Sequence, residues 1–152
     1  MSKFISWMAI LVWMAIIFYL SHQPVSISNG LSQGITEVIV EKIERLATNY
    51  ELNMDHANHL IRKNAHFFIY FVLGLFVSHA LRKTKGPRVR HWGIALLICV
   101  LFAFSDEGHQ YFIEGRGPQL RDVLIDSCGA LLGIVLYGVG SSLSNRRRTK
   151  KV

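Results

Sequence analysis

Two carboxylates and a histidine lie together in one short segment, residues 105–110, whose sequence is SDEGHQ. Asp106, Glu107 and His109 interrupt an apolar run that is too short to cross a bilayer without them. A charged side chain at the centre of a membrane helix costs about 2.5 to 3.5 kcal/mol on insertion scales, and such residues usually have a function. Carboxylate and imidazole groups suit acid–base catalysis, ligand binding or ion pairing. We therefore expect this segment to form part of a site.

Four apolar segments position this site. The 152-residue chain is 51% hydrophobic and 18% charged, which is too apolar for an ordinary soluble protein. The segments lie at about residues 4–20, 65–81, 92–112 and 123–140, and each is close to the roughly 20 residues that a transmembrane helix needs. The predicted fold is therefore all-α: a single domain, residues 1–152, that forms an integral membrane bundle of four transmembrane helices.

The length of the third segment predicts that its acidic residues lie near one membrane boundary. Its uninterrupted part, residues 92–104, rises only about 20 Å, whereas the hydrocarbon core of a bilayer is about 30 Å thick. The helix is therefore expected to continue through Tyr111 and Phe112, which would lie near the interface. Asp106 and Glu107 then lie at or just below the headgroups.

Positive charge is concentrated at the other boundary. The chain has a net charge of +7, with basic residues at 82–90, between the second and third segments, and at 146–151, after the fourth. Cytoplasmic loops carry such an excess of lysine and arginine, so we predict that both termini, including the basic tail 141–152, are cytoplasmic. Residues 21–64 and 105–121 are then outside. Basic clusters at the ends of spans indicate contact with anionic lipid and no nucleic-acid partner.

The long connection between the first two spans has a helical pattern of its own. Apolar residues recur at positions 31, 35, 38, 39, 43 and 46, and charged residues occupy the other faces. This spacing predicts an outer amphipathic helix, which either lies in the membrane interface or packs on the polar mouth of the protein.

Polar residues at the predicted outer ends of the spans fall on shared helix faces. Residues three or four apart lie on one face of a helix, as His66 and Tyr70 do in the second span. We predict that these faces converge on one outward pocket, closed by the turn at 115–118, with His66, Glu107 and His109 as candidate acid–base groups. The predicted binding residues are Ser21, Gln23, Arg62, Lys63, Asp106, Gln110, Arg116, Asp122 and Asp126.

The charges of this predicted pocket balance, four against four. The cations are Arg62, Lys63, Arg116 and Arg121, and the anions are Asp106, Glu107, Asp122 and Asp126. A structural ion-pair network has the same balance, because charges inside membranes usually pair. The histidines, which such a network does not need, favour a functional site. Arginines near the headgroups suit the capture of phosphate or carboxylate.

Two other chemistries have weaker support. A mixed set of nitrogen and oxygen donors is offered by His66, His109, Asp106 and Asp126. No close ligand motif such as His-Glu-x-x-His is present, so no metal ligand and no cofactor is assigned. A serine nucleophile such as Ser21 lacks the Gly-x-Ser-x-Gly elbow. Acid–base chemistry by Glu107 with His66 or His109 is the better catalytic alternative.

Several short motifs follow one another between about residues 21 and 133. They are S-x-Q-P at 21–24, R-K-x-x-H at 62–66 with Tyr70 and Gly74, S-D-E-x-H-Q at 105–110, and then Gly115, Arg116, Asp122, Asp126 and Gly129. In these motifs the chain resembles the VanZ-like family of small membrane proteins. The resemblance implies a bacterial protein that crosses the cytoplasmic membrane several times. The family's namesake is associated with low-level resistance to teicoplanin, a lipid-tailed glycopeptide, so an effect on teicoplanin susceptibility is an expectation here.

The resulting hypothesis is a binding module. The outward pocket would recognise the headgroup of an anionic lipid or of a lipid-linked cell-envelope precursor through Arg62, Lys63 and Arg116. Two alternatives stay open: an intramembrane enzyme that modifies a lipid headgroup by Glu/His acid–base chemistry, and a purely structural ion-pair network. The sequence leaves the oligomeric state open.

Overall fold

The computed structural model of the chain is a bundle of four long helices. It describes residues 3–23, 30, 34, 36–38, 40–41, 54–84, 86–113, 117 and 119–149, with the backbone alone at 54–56 and 144–149. The helices are α1 (Lys3–Ser21), α2 (Met54–Leu81), α3 (Arg88–Gln110) and α4 (Leu120–Thr149). No strand occurs among the described residues. The predicted all-α architecture is confirmed.

All four helices are long and apolar enough to cross a membrane. The spanning stretches are Lys3–Ser21, Ala57–Leu81, Arg88–Gln110 and Leu120–Leu143. Large apolar side chains are exposed along them, as expected where a helix faces lipid and not water. The chain is therefore a multi-pass membrane protein.

The third helix ends earlier than the sequence predicts. It stops at Gln110, and Tyr111 and Phe112 form a turn in which both side chains are exposed. At its other end the helix begins before the predicted residue 92, at Arg88, directly after Pro87. The extra residues there compensate for the shorter end at Gln110. Proline favours a helix start, since its absent N–H would have no intrahelical partner there.

The predicted amphipathic helix lies only partly within the described residues. Between residues 24 and 53, the described positions 30, 34, 36–38 and 40–41 are all helical. Thr36 and Val40 are buried, and the Thr36 hydroxyl donates a hydrogen bond of 3.3 Å to Asn58 Oδ1 near the start of α2. The rest of the predicted helix lies outside the described residues.

The closest approach in the bundle is between α2 and α4. A Cβ atom added to Gly129 or Gly133 of α4 would overlap the carbonyl oxygens of Phe67 and Phe71 on α2. A Cβ on Gly74 of α2 would in turn meet the carbonyl of Ala130. Small residues let membrane helices pack backbone to backbone. This contact fixes the rotation and depth of α2 against α4, and with them the polar side chains that both helices carry.

The other two helices pack around this pair with a small-residue face and a tryptophan. Helix α3 presents Ala95, Cys99 and Ala103, all fully buried, to the centre of the bundle. Helix α1 is anchored by Trp13, whose indole N–H donates to the Ile69 carbonyl at 2.9 Å. The ends of α1 and α3 are thereby brought beside the same end of α2 and α4.

Candidate functional site

Asp106 is the most deeply buried carboxylate at the polar end of the bundle. Its side chain is 1% exposed, and its Oδ2 atom accepts a hydrogen bond of 2.7 Å from the hydroxyl of Ser21, the last residue of α1. Its other oxygen, Oδ1, has no hydrogen-bond partner. A buried acceptor without a partner is costly, about 1–3 kcal/mol and more for a charged group. One face of this carboxylate is thus held by protein, and the other faces the interior of the cluster.

A second buried carboxylate, Asp126, faces the same place from α4. It is 2% exposed, and its Oδ1 atom lies 3.8 Å from Nδ1 of His66 on α2. One ligand atom from each of His66, Asp106 and Asp126 lies within 4.8 Å of the other two. The three spans α2, α3 and α4 therefore meet at one imidazole and two carboxylates.

Tyr70 completes this arrangement from below, one helical turn after His66. Its side chain is fully buried, and it interacts electrostatically with both Asp106 and Asp126. Its hydroxyl has no hydrogen bond of normal geometry. Its spacing of four residues from His66 predicts that both lie on one face of the helix, but the sequence does not indicate a role for Tyr70. We call Ser21, His66, Tyr70, Asp106 and Asp126 the inner cluster.

One turn further toward the helix ends lies an ion pair between Lys63 and Asp122. The Lys63 Nζ atom is 2.9 Å from Asp122 Oδ1, and both side chains are partly exposed. Lys63 precedes His66 by three residues and Asp122 precedes Asp126 by four, so this outer pair lies about 5–6 Å above the inner cluster. The polar faces of α2 and α4 therefore contact each other at two depths, through Lys63 and Asp122 and through His66 and Asp126.

The predicted balance of four cations and four anions includes Arg116, which lies outside the described residues, so the described contacts concern only part of it. Lys63 pairs with Asp122 in the outer pair. The inner cluster holds two carboxylates and one imidazole, so with both carboxylates ionised its net charge is −1 even when His66 is protonated. Counting charges along the sequence ignores depth, and depth decides which charges can neutralise each other.

Glu107 lies outside the inner cluster and has a different partner. Its Oε1 atom accepts a hydrogen bond of 2.5 Å from the backbone N–H of Gln119, just before α4 begins. The side chain is buried. Glu107 therefore braces the connection between α3 and α4, and its acid–base role stays a prediction.

We expect Glu107→Gln to preserve this brace, because the amide oxygen of glutamine can still accept the bond from Gln119. Glu107→Leu removes the acceptor and should cost about 1–2 kcal/mol of unfolding free energy, more than twice the effect of glutamine. Thermal unfolding of both variants in detergent micelles measures the difference. Equal destabilisation by glutamine and leucine would contradict the brace, because the negative charge would then be the feature that matters.

The remaining predicted residues surround the cluster at varying distances. His109 stacks on Phe18 with ring centroids 4.2 Å apart, and its Nε2 atom lies 3.0 Å from Nδ1 of His22. Gln110 is buried one turn after Asp106 and interacts with it. These contacts tie the end of α1 to the end of α3.

Two other predicted binding residues, Gln23 and Arg62, are not part of the inner cluster. Gln23 donates to the Tyr19 carbonyl at 3.3 Å, within its own chain segment. Arg62 is partly buried and contacts the Nδ1 atom of His59 at 3.4 Å. Arg116 lies outside the described residues.

A cavity of about 310 Å³ lies at the opposite end of the bundle. Its lining includes Arg82, Arg88 and His91, together with the buried Ser78, whose hydroxyl has no hydrogen-bond partner. None of the predicted site residues that the structure describes lines this cavity. The two ends of the bundle therefore differ in charge: buried acids mark one end, and exposed bases mark the other.

Comparison with known proteins identifies a family. The sequence model of VanZ/LLP1 matches residues 6–141, which is most of the chain. This range includes every residue of the inner cluster. No curated protein and no solved structure matches the chain.

Proposed function

Because the chain belongs to the VanZ/LLP1 family and has four helices able to cross a membrane, we propose that its polar end binds the headgroup of an anionic lipid or of a lipid-linked cell-envelope precursor. The observation that carries this proposal is the convergence of charged side chains from three spanning helices at one end of the bundle. Charged groups in membrane segments are rare and usually serve a ligand or ion pathway.

The depth of these groups supports a headgroup as the ligand. Asp106 lies four residues before the end of α3, and Asp122 lies two residues after the start of α4. At 1.5 Å per residue these positions are about 6 Å and 3 Å inside the helix ends. Phosphate and other polar headgroup atoms of a bilayer occupy this zone, between the hydrocarbon core and bulk water.

The basic groups at the polar end would supply the attraction for an anion. Lys63 is held in place by Asp122, and its side chain stays partly exposed. Arg62 and Arg121 directly precede Lys63 and Asp122 on α2 and α4, and Arg116 precedes α4 by four residues in the sequence. Arginine guanidinium groups bind phosphate or carboxylate in a bidentate manner.

We further propose an orientation in the bacterial cytoplasmic membrane. The described basic residues Arg82, Lys83, Arg88 and Arg90 lie at the end opposite the inner cluster, and the backbone at 146–148 belongs to the last turns of α4 at the same end. By the positive-inside rule this basic end and both termini would be cytoplasmic. The polar end would then face outward, where a lipid-tailed glycopeptide such as teicoplanin acts, and binding of an envelope headgroup there would alter susceptibility to it.

We expect Arg62→Glu to weaken binding of an anionic lipid at least tenfold, because it replaces an attractive charge by a repulsive one at the polar end. Binding can be measured as retention of phosphatidylglycerol against phosphatidylcholine when the protein is purified from mixed vesicles. Arg90→Glu is the matched control, since it makes the same charge change at an exposed position on the opposite end. Equal retention of phosphatidylglycerol by both variants, each correctly inserted, would overturn the proposal.

A second candidate function is chemical modification of the headgroup. It is favoured by the pairing of an imidazole with a carboxylate at His66 and Asp126, beside the hydrogen-bonded Ser21 and Asp106. Such pairs serve general acid–base catalysis. The test is incubation of the protein with a total lipid extract followed by mass spectrometry. Loss of a wild-type product in His66→Gln would support an enzyme, and the absence of any product change with wild type would argue against it.

A further inference from the structure

The structure assigns a divalent-cation site to His66, Asp106 and Asp126 in the inner cluster. One ligand atom from each residue lies within 4.8 Å of the other two, and each residue comes from a different helix. Metal–ligand bonds of about 2.0–2.2 Å require donor atoms roughly 3.0–3.6 Å apart. Side-chain movements of about 1 Å therefore bring all three donors onto one ion.

The charges of the inner cluster fit a divalent cation. Asp106 and Asp126 are 1% and 2% exposed, so two carboxylates face each other away from water. Two negative charges in such a place are unfavourable unless a partner neutralises them. A divalent cation bound to both carboxylates and to a neutral imidazole forms a complex with no net charge.

The hydrogen bonds around the cluster leave the required oxygen atoms available. Ser21 donates to Oδ2 of Asp106, while Oδ1 of Asp106 and Oδ1 of Asp126 have no hydrogen-bond partner. Ligating carboxylates commonly carry such an outer hydrogen bond, which fixes their orientation. Ser21 would be a positioning residue for the site and not a ligand.

The Tyr70 hydroxyl, which faces the same carboxylates, also points to a ligand here. The tyrosine is fully buried beside Asp106 and Asp126, and its hydroxyl interacts with the Asp106 carboxylate without a hydrogen bond of normal geometry. Buried hydroxyl groups are nearly always hydrogen-bonded. A water or a ligand atom on the cation would provide that partner.

The donor set indicates a transition metal. Imidazole suits Zn²⁺ and other transition metals, whereas Ca²⁺ takes six to eight oxygen ligands and Mg²⁺ prefers oxygen and water. Three protein ligands also leave at least one position open, as in sites where the metal binds an outside group. If the headgroup proposal holds, on which this last step rests, a phosphate oxygen of the anionic lipid would occupy that position.

The test is metal binding by purified protein without a histidine tag. The protein is stripped of metal and then titrated separately with Zn²⁺, Mn²⁺ and Mg²⁺, with stoichiometry measured by mass spectrometry of the retained metal. We expect one Zn²⁺ or Mn²⁺ per chain, a higher melting temperature on binding, and an affinity at least about 100-fold lower in His66→Gln and Asp126→Asn.

Two matched controls define the site. His91→Gln and Asp122→Asn make the same substitutions outside the three ligands, and metal affinity should stay within a factor of about three. Absence of bound metal in wild type, or equal affinity in His66→Gln and His91→Gln, overturns the assignment.

A measurement of lipid binding distinguishes this inference from the headgroup proposal. Phosphatidylglycerol retention is measured for metal-stripped and Zn²⁺-loaded protein. If metal binds and lipid retention does not depend on the residues of the polar end, the metal site stands and the headgroup proposal fails. If no metal binds and Arg62→Glu still reduces lipid retention, the metal site fails and the headgroup proposal stands.

Discussion

Replacing Gly133 with alanine should destabilise the bundle by about 1–3 kcal/mol, the usual cost of overpacking a well-packed core. The added methyl group would overlap the carbonyl of Phe71, which is backbone and cannot turn aside as a side chain can. Helices α2 and α4 must separate to admit it, and their separation also moves His66 away from Asp126. Gly129→Ala should behave in the same way, because it meets the carbonyl of Phe67.

Gly140→Ala provides the matched control for this prediction. Gly140 is on the same helix, and no atom lies near the position of its added Cβ. Alanine there should be neutral or slightly stabilising, because it is the better helix former. Unfolding in detergent micelles, followed by circular dichroism, measures all three variants. Equal stability of the Gly133 and Gly140 variants would contradict the close α2–α4 contact.

The helices could be predicted from the sequence because each depends on local information. Apolar length predicts four spans, and the structure has helices at all four. Spacing of three or four residues also correctly placed His66 and Tyr70 on one face of α2. Family membership was predictable from motifs distributed over the whole chain, and the match over residues 6–141 confirms it.

The contacts between helices could not be predicted in the same way. Pairing of Ser21 with Asp106, and of Lys63 with Asp122, depends on how far each helix is rotated and shifted along its neighbour. That register is set by the close contact at Gly129 and its neighbours, which a sequence pattern indicates without specifying its depth. For the same reason the hydrogen bond between Glu107 and the backbone N–H of Gln119 could not be predicted.

The difference in depth also separates the binding and structural interpretations of the site. The outer Lys63–Asp122 pair is neutral and partly exposed, as expected of an ion pair that positions helices. With both carboxylates ionised, the inner cluster has excess negative charge away from water, which weakens a bundle instead of holding it together. Groups that lower stability persist in proteins mainly where function needs them. Stability measurements on the inner acids therefore distinguish the two interpretations.

Asp106→Asn should stabilise the metal-free protein by about 1–2 kcal/mol while it abolishes binding at the inner cluster. Asparagine has nearly the same shape, and its oxygen can still accept the bond from Ser21, so the packing is kept and one buried charge is removed. Unfolding is measured in EDTA, so that loss of a bound cation does not mask the gain. The matched control, Asp122→Asn, breaks a partly exposed pair and should cost no more than about 1 kcal/mol.

A purely structural ion-pair network predicts the opposite order of stabilities. Asp106→Asn would then be more destabilising than Asp122→Asn, because the buried hydrogen-bonded carboxylate would make the stronger interaction. Higher stability together with lost ligand binding in Asp106→Asn is the result that only a functional site explains.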